Sequence, residues 1–289
     1  MSVPFAYRRL AGPVLAAALA GAMSLASPAP LLAQVAEFYD VPYAPGQWNI
    51  GRRLNESTFR YCVDSRDPDW APAAEIADAI AAGLLLEPQR YVVEREVAVE
   101  DITKVYEVML EHCEVHMGFK LIPGGLPDWV TVTRPYYESE YVFVTADPDV
   151  AALGDVAPGS PIGATLGTSA HIQLVSYVST LEPQERWPVF PMGTNDLALD
   201  SLLNGTVDVA LVWAPSLWAK QRGTPAFADV HVIDPTPLPP TRLGVGALLL
   251  SDETFLRATI DEVIAALVAD GTIGAILEAH DFPAIVPRQ

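Results

Sequence analysis

The sequence predicts an α/β protein of two lobes, each a doubly wound and mostly parallel sheet, joined by two crossings of the chain. Three observations carry this. Short apolar runs alternate with helix-periodic segments twice over, once before residue 120 and again after residue 160. Between the two series lies Thr131–Thr145 (TVTRPYYESEYVFVT), where a β-branched run breaks at Pro135 and resumes as the apolar strand Tyr141–Thr145. Proline lacks the N–H and fixes φ, so it does not sit inside a central strand. The stretch therefore leaves one sheet, turns over an aromatic corner expected to be exposed, and enters another. Finally, Leu243–Leu250 (LGVGALLL) returns after the second series, placed to pair antiparallel beside Tyr141–Thr145. At 289 residues and 51% hydrophobic, the chain is long enough for two such lobes, expected at 58–142 plus 245–289 and at 146–242.

Residues 1–33 read as a cleaved export signal. Arg8-Arg9 precede the apolar run Leu10–Leu25, and Leu31-Leu32-Ala33 follows a break at Pro28 and Pro30. The alternative, a membrane anchor, needs roughly 20 apolar residues, and this run is shorter and interrupted by Gly12 and Pro13. A soluble periplasmic protein is the expectation. Gln34–Ser57, with Pro42, Pro45, Gly46 and Gly51 and no steady period, reads as an extended arm.

The first series then begins with the strand Phe59–Asp64. Ala73–Gly83 has Ile76, Ala79, Ile80 and Leu84 at helical spacing, with Gly83 as the stop. Arg90–Val93 is a second strand, Asp101 caps a helix to about His112, and Glu114–Phe119 is a third strand. In the second series, Pro161–Thr165 is a strand and Gly167-Thr168-Ser169 opens a helix through Tyr177. Pro188–Met192 is a strand, and Thr194 caps the helix Asn195–Leu203, which Asn204-Gly205 ends. Val207–Trp213 is a buried strand, with a helix to Lys220 and a last strand at His231–Asp234. Pro235–Arg242 links back. Two helices, Phe255–Ala269 and Ile273–His280, close the chain on the first lobe.

The formal net charge of −19 becomes −21 without residues 1–33, and there are only three lysines, Lys104, Lys120 and Lys220. Such a surface repels nucleic acid and anionic lipid. It suits a basic partner or a cation, or serves solubility alone. Cys62 and Cys113 read first as a disulfide in an oxidising compartment, worth roughly 4 kcal/mol in the chain-entropy model. The alternative is two buried thiols, because both fall on predicted strands and register rarely brings strand cysteines within bridging distance.

Ligands of doubly wound sheets sit beyond the carboxyl ends of the strands. Here those ends are Asp64–Arg66 and Gly118–Lys120, which bring forward Asp64, Arg66 and Gly118. Gly167, Thr168 and Ser169 form either an anion site, with free N–H groups at a helix start, or an ordinary N-cap. Tyr136, Tyr137 and Trp213 line a cleft or belong to the core. Arg134 binds ligand, stacks on Tyr136 or pairs with Glu138. Other constellations fall away. His112 and His116 straddle a helix end and a strand, which does not give a shared metal face. Asp64–Asp69 lacks the glycine and distant glutamate of a calcium loop. Gly167–His171 is no nucleophile elbow, and no CxxCH occurs for covalent haem. No cofactor is expected.

The strand order, the corner, Leu203–Val212 (LNGTVDVALV) and the closing ADGTIGAILEAHDF resemble the type 2 periplasmic solute-binding proteins over residues 58–282. TRPYYESEYVFVT, VDVALVWAP and the placement of the two cysteines are most similar to the branch associated with quinoprotein (methanol-type) dehydrogenases. The resemblance implies two lobes closing over a ligand without catalysis. It departs at the amino-acid grips. The family's arginine before the corner has no basic counterpart in Ile122–Trp129, and Trp213 stands where the family has the aspartate for the α-amino group. The first expectation is therefore an accessory or ligand-binding component of a quinoprotein dehydrogenase system. The second is a receptor that delivers a small non-amino-acid solute to an ABC permease.

Overall fold

The computed structural model describes residues 57–94, 102–122, 124 and 126–288. The export signal expected at 1–33, nearly all of the arm at 34–57 and the Asp101 cap lie outside them. The first series forms β1 (Thr58–Asp64), α1 (Trp70–Gly83), β2 (Glu87–Val93), α2 (Ile102–Glu111) and β3 (Val115–Lys120). The corner stretch forms β4 (Val130–Val132) and β5 (Tyr137–Thr145). The second series forms β6 (Ile162–Thr165), α3 (Ser169–Thr180), β7 (Val189–Met192), α4 (Asn195–Leu203), β8 (Val209–Trp213), α5 (Ala214–Gly223) and β9 (His231–Ile233). β10 (Thr241–Leu250), α6 (Thr254–Ala269) and α7 (Thr272–Ala279) complete it.

The strands of the described residues join in one sheet, ordered β2-β1-β3-β10-β5-β8-β6-β7, with β4 also on β10 and β9 also on β5. Its two ends are parallel. In the middle, β10 and β5 run antiparallel to their neighbours and unite what the sequence suggested as separate sheets. The return run pairs beside β5 as expected, but along Tyr137–Tyr141 rather than Tyr141–Thr145. Phe143–Thr145 is taken on that same edge by β9.

Both faces of the sheet are covered at its inner strands, which is why β8 (VALVW) is apolar and buried without a gap. On β1, Tyr61 and Val63 pack with α1, while the alternate residue Cys62 packs with Met109, Leu110 and Trp129. On β8, Leu211 and Trp213 face the first cluster, and Ala210 and Val212 pack with Leu199, Leu202 and Leu217. Cys62 and Cys113 form a disulfide, their Cα atoms 5.7 Å apart. The strand-register objection does not apply, because Cys113 lies in the turn between α2 and β3 rather than on a strand.

The aromatic corner is not exposed. Tyr136 and Tyr137 are each 0% accessible. The end of the chain covers them: Phe282 packs edge-on against Tyr137 at 5.3 Å, Ser139 donates to the Pro283 carbonyl, and Ile285 bridges to Glu138.

Candidate ligand-binding site

The register places the site. Lys120 at the end of β3 lies opposite Val245, which lies opposite Tyr137. Trp213 at the end of β8 lies opposite Tyr141, which lies opposite Thr241. β3 and β8 run in opposite directions, so their carboxyl ends face one another across the span Tyr137–Tyr141. At ~3.4 Å per residue that span is about 14 Å of strand.

On the β3 side the backbone bends to make room. Gly118 has φ +90°, and a Cβ there would lie 3.3 Å from Asp67 Oδ2 and 3.8 Å from both Asp69 carboxylate oxygens. Its N–H donates to the Tyr136 hydroxyl at 2.8 Å. The Tyr137 hydroxyl donates to Asp69 Oδ2 at 2.6 Å. Burial holds the Asp69 carboxyl above the usual carboxylate range, although the Tyr137 hydrogen bond and the Lys120 charge pull the other way. Both phenols are raised well above their ordinary value, first by burial and then by the Asp69 charge. The Lys120 ammonium sits 5.1 Å from the centroid of the Trp213 ring.

On the facing side, Trp213 is fixed at both ends. Its ring packs against Tyr141 at 5.1 Å, and its backbone N–H donates to Asn195 Oδ1 at 3.1 Å. The same oxygen accepts from the Thr165 hydroxyl at 2.8 Å. One side chain at the start of α4 therefore ties the ends of β6 and β8 together.

Of the residues singled out from sequence, Gly118, Tyr136, Tyr137 and Trp213 come together here, the tyrosines as buried supports rather than a rim. Asp64 and Arg66 neutralise each other at the end of β1, with Arg66 Nη2 2.7 Å from Asp64 Oδ2. Arg134 turns to α6, where its backbone N–H donates to Asp261 Oδ1 and its guanidinium to the Asp261 carbonyl. Neither the Tyr136 stack nor the Glu138 pair describes it. Gly167 adopts φ +79°, and the Thr168 hydroxyl caps α3 by accepting from the His171 N–H at 3.1 Å while donating to the Thr165 carbonyl. Ser169 is exposed at the start of α3. Sequence reasoning named Lys120 only as part of the β3 end and Asp67 and Asp69 only within a rejected calcium loop, and it passed over Asn195. The only available signal was position, just beyond β1, at the end of β3 and at the start of α4.

No protein-family model matches the chain, and no curated protein does. Among solved structures it is similar to the Bordetella pertussis BvgS VFT2 domain, a double mutant, at 15% identity and TM-score 0.59, covering 83% of this chain and 99% of that one. It is also similar to a histidine kinase sensor domain described as having similarity to periplasmic binding proteins, at 16% identity and TM-score 0.57, covering 81% of this chain and 100% of that one. A third is an arginine transport-system periplasmic binding protein from Legionella pneumophila, at 16% identity and TM-score 0.57, covering 78% of this chain and 100% of that one. At these identities the likeness concerns fold alone. The chain has the α/β fold of the type 2 periplasmic binding proteins.

Proposed function

We propose that this is a periplasmic solute-binding protein that holds a small molecule other than an α-amino acid between the facing ends of β3 and β8, without performing chemistry on it. The observation that carries this reading is the opposed register of those two strand ends, with the charged groups Asp67, Asp69 and Lys120 at the first and the aromatic Trp213 at the second. Residues 58–142 plus 245–289 act as one lobe and 146–242 as the other, and β5 and β10 serve as the hinge. The missing basic residue in Ile122–Trp129 and the engagement of Arg134 by Asp261 argue against an amino-acid carboxylate grip. The exposed Gly167 and Ser169 add polar groups at the second rim. Delivery to an ABC permease is the partner relationship such a receptor serves, and the solved structures above fit it better than an accessory role.

A thermal-shift screen of the full chain against sugars, carboxylates, amines and amino acids tests the reading. Stabilisation by several degrees by one non-amino-acid class is expected, and a best response from amino acids would overturn it. The association with a quinoprotein dehydrogenase rests on the resemblance of Thr133–Thr145 and Val207–Pro215. Capture of such a dehydrogenase by the purified chain would support that second reading, and solute binding without any capture would favour the receptor.

A further inference from the structure

Lys120 differs from the other two lysines of the chain. Lys104 pairs with Glu107, and Lys220 with Asp196 and Asp200. Among the described residues no carboxylate lies within salt-bridge distance of the Lys120 ammonium, which rests instead on the Trp213 ring. A ring face answers a cation's charge but accepts poorly from its three N–H donors. The ammonium is therefore held in place by one side while its donors remain available to another group. The platform is rigid, since Trp213 is fixed by Tyr141 and Asn195. The two arginines singled out from the sequence are committed elsewhere, Arg66 to Asp64 and Arg134 to Asp261.

The surroundings set the class of anion. Asp67 and Asp69 flank Gly118 on the same side as Lys120, and the whole chain carries −19. The cost of stripping water from an anion rises with the square of its charge while the attraction of one ammonium rises only in proportion, so Lys120 suits a single negative charge better than two. A cationic solute would meet Lys120 itself. On the facing side, Leu166 just after β6 and Leu197 in the first turn of α4 are 61% and 53% exposed, an apolar rim for the rest of the molecule.

We propose that Lys120 is the anion-recognising group of the site and that the solute is a small monocarboxylate with an apolar body. This rests on the receptor reading above and adds to it the substrate class and the residue that selects it.

Calorimetry on the full chain tests it, with propanoate, hexanoate and benzoate each set against its amide, plus benzylamine and inorganic phosphate. At least one carboxylate is expected to bind about tenfold or more tightly than its amide. Lys120→Met should remove that preference, Lys120→Arg should keep it within about threefold, and Lys220→Met should leave it unchanged. Carboxylate binding undiminished in Lys120→Met overturns the proposal, as does a preference for benzylamine, phosphate or the amides. In those cases solute binding itself survives and the receptor reading stands. Binding of none of these probes, with none from the wider screen, removes the receptor reading and this one with it. Should Lys120→Met fail to fold by circular dichroism, the carboxylate-against-amide ratio of the unmodified chain and the Lys120→Arg result decide.

Discussion

Asp69 is a carboxyl group that the fold keeps from water, and that has a measurable consequence. Its folded pKa is raised, chiefly by burial, so between the ordinary aspartate value and the folded value the native state holds more protons than the unfolded chain. Its contribution to stability is therefore complete below the ordinary value and is lost as pH rises through the folded one. Asp69→Asn keeps an oxygen for the Tyr137 hydroxyl and removes the buried charge. It is expected to melt above the unmodified protein at neutral pH, with the gap closing as pH falls toward 4, in thermal melts taken across that range. A neutral-pH loss of stability would mean that the Lys120 charge outweighs burial. At Gly118, alanine would have to adopt φ +90° with its Cβ 3.3 Å from Asp67 Oδ2. A loss of roughly 1–3 kcal/mol is expected in urea unfolding. At this scale the sequence was least legible. Lys120 was legible only as part of a strand end, since the ring it rests on, Trp213, lies far along the chain. The corner tyrosines look exposed beside Pro135 because Phe282, which buries them, is equally remote in sequence.

Elements were far more legible, because their signals are local. Thr194 caps α4 as its position suggests, accepting from the Leu197 N–H at 3.1 Å, and α4 itself spans Asn195–Leu203 as expected. Replacing Thr194 by alanine is expected to cost about 1 kcal/mol. Thr168→Ala should do the same to α3 and leave solute affinity nearly unchanged, because that hydroxyl is already engaged in capping. Titration of the variant with whichever solute the screen identifies checks the second half, and a large affinity loss would return Thr168 to the site. β2 starts at Glu87 and admits Pro88, which periodicity did not anticipate. Among the described residues it is an edge strand, paired with β1 alone, so a missing donor is tolerated there. β4 is only three residues long, too short for alternation to announce it. Opening the Cys62–Cys113 link by mutating both to alanine is expected to destabilise the chain by roughly 4 kcal/mol, read by urea unfolding, since it closes a loop across 51 residues.

At the scale of the whole molecule, the α/β class and the return of the C-terminus to the first series were readable from element order. The fusion into one sheet was not, because it depends on how β5 and β10 divide their edges between partners. If solute binding closes the two lobes, small-angle scattering of the full chain should show a smaller radius of gyration with the solute than without it. An unchanged radius would assign binding to a preformed site. The shared edge also limits what kind of closure is open to the chain. Thr241–Val245 and Tyr137–Tyr141 are bonded to each other, and outward pairing to β3 and β8 begins only at their ends, at Val245 with Lys120 and at Tyr141 with Trp213. Such a ribbon resists being pulled apart yet yields readily to torsion, since strand twist varies widely at little cost. Amide hydrogens along the paired ribbon should thus exchange slowly in both the empty and the loaded protein, while protection changes at the loops beyond β1 and β6.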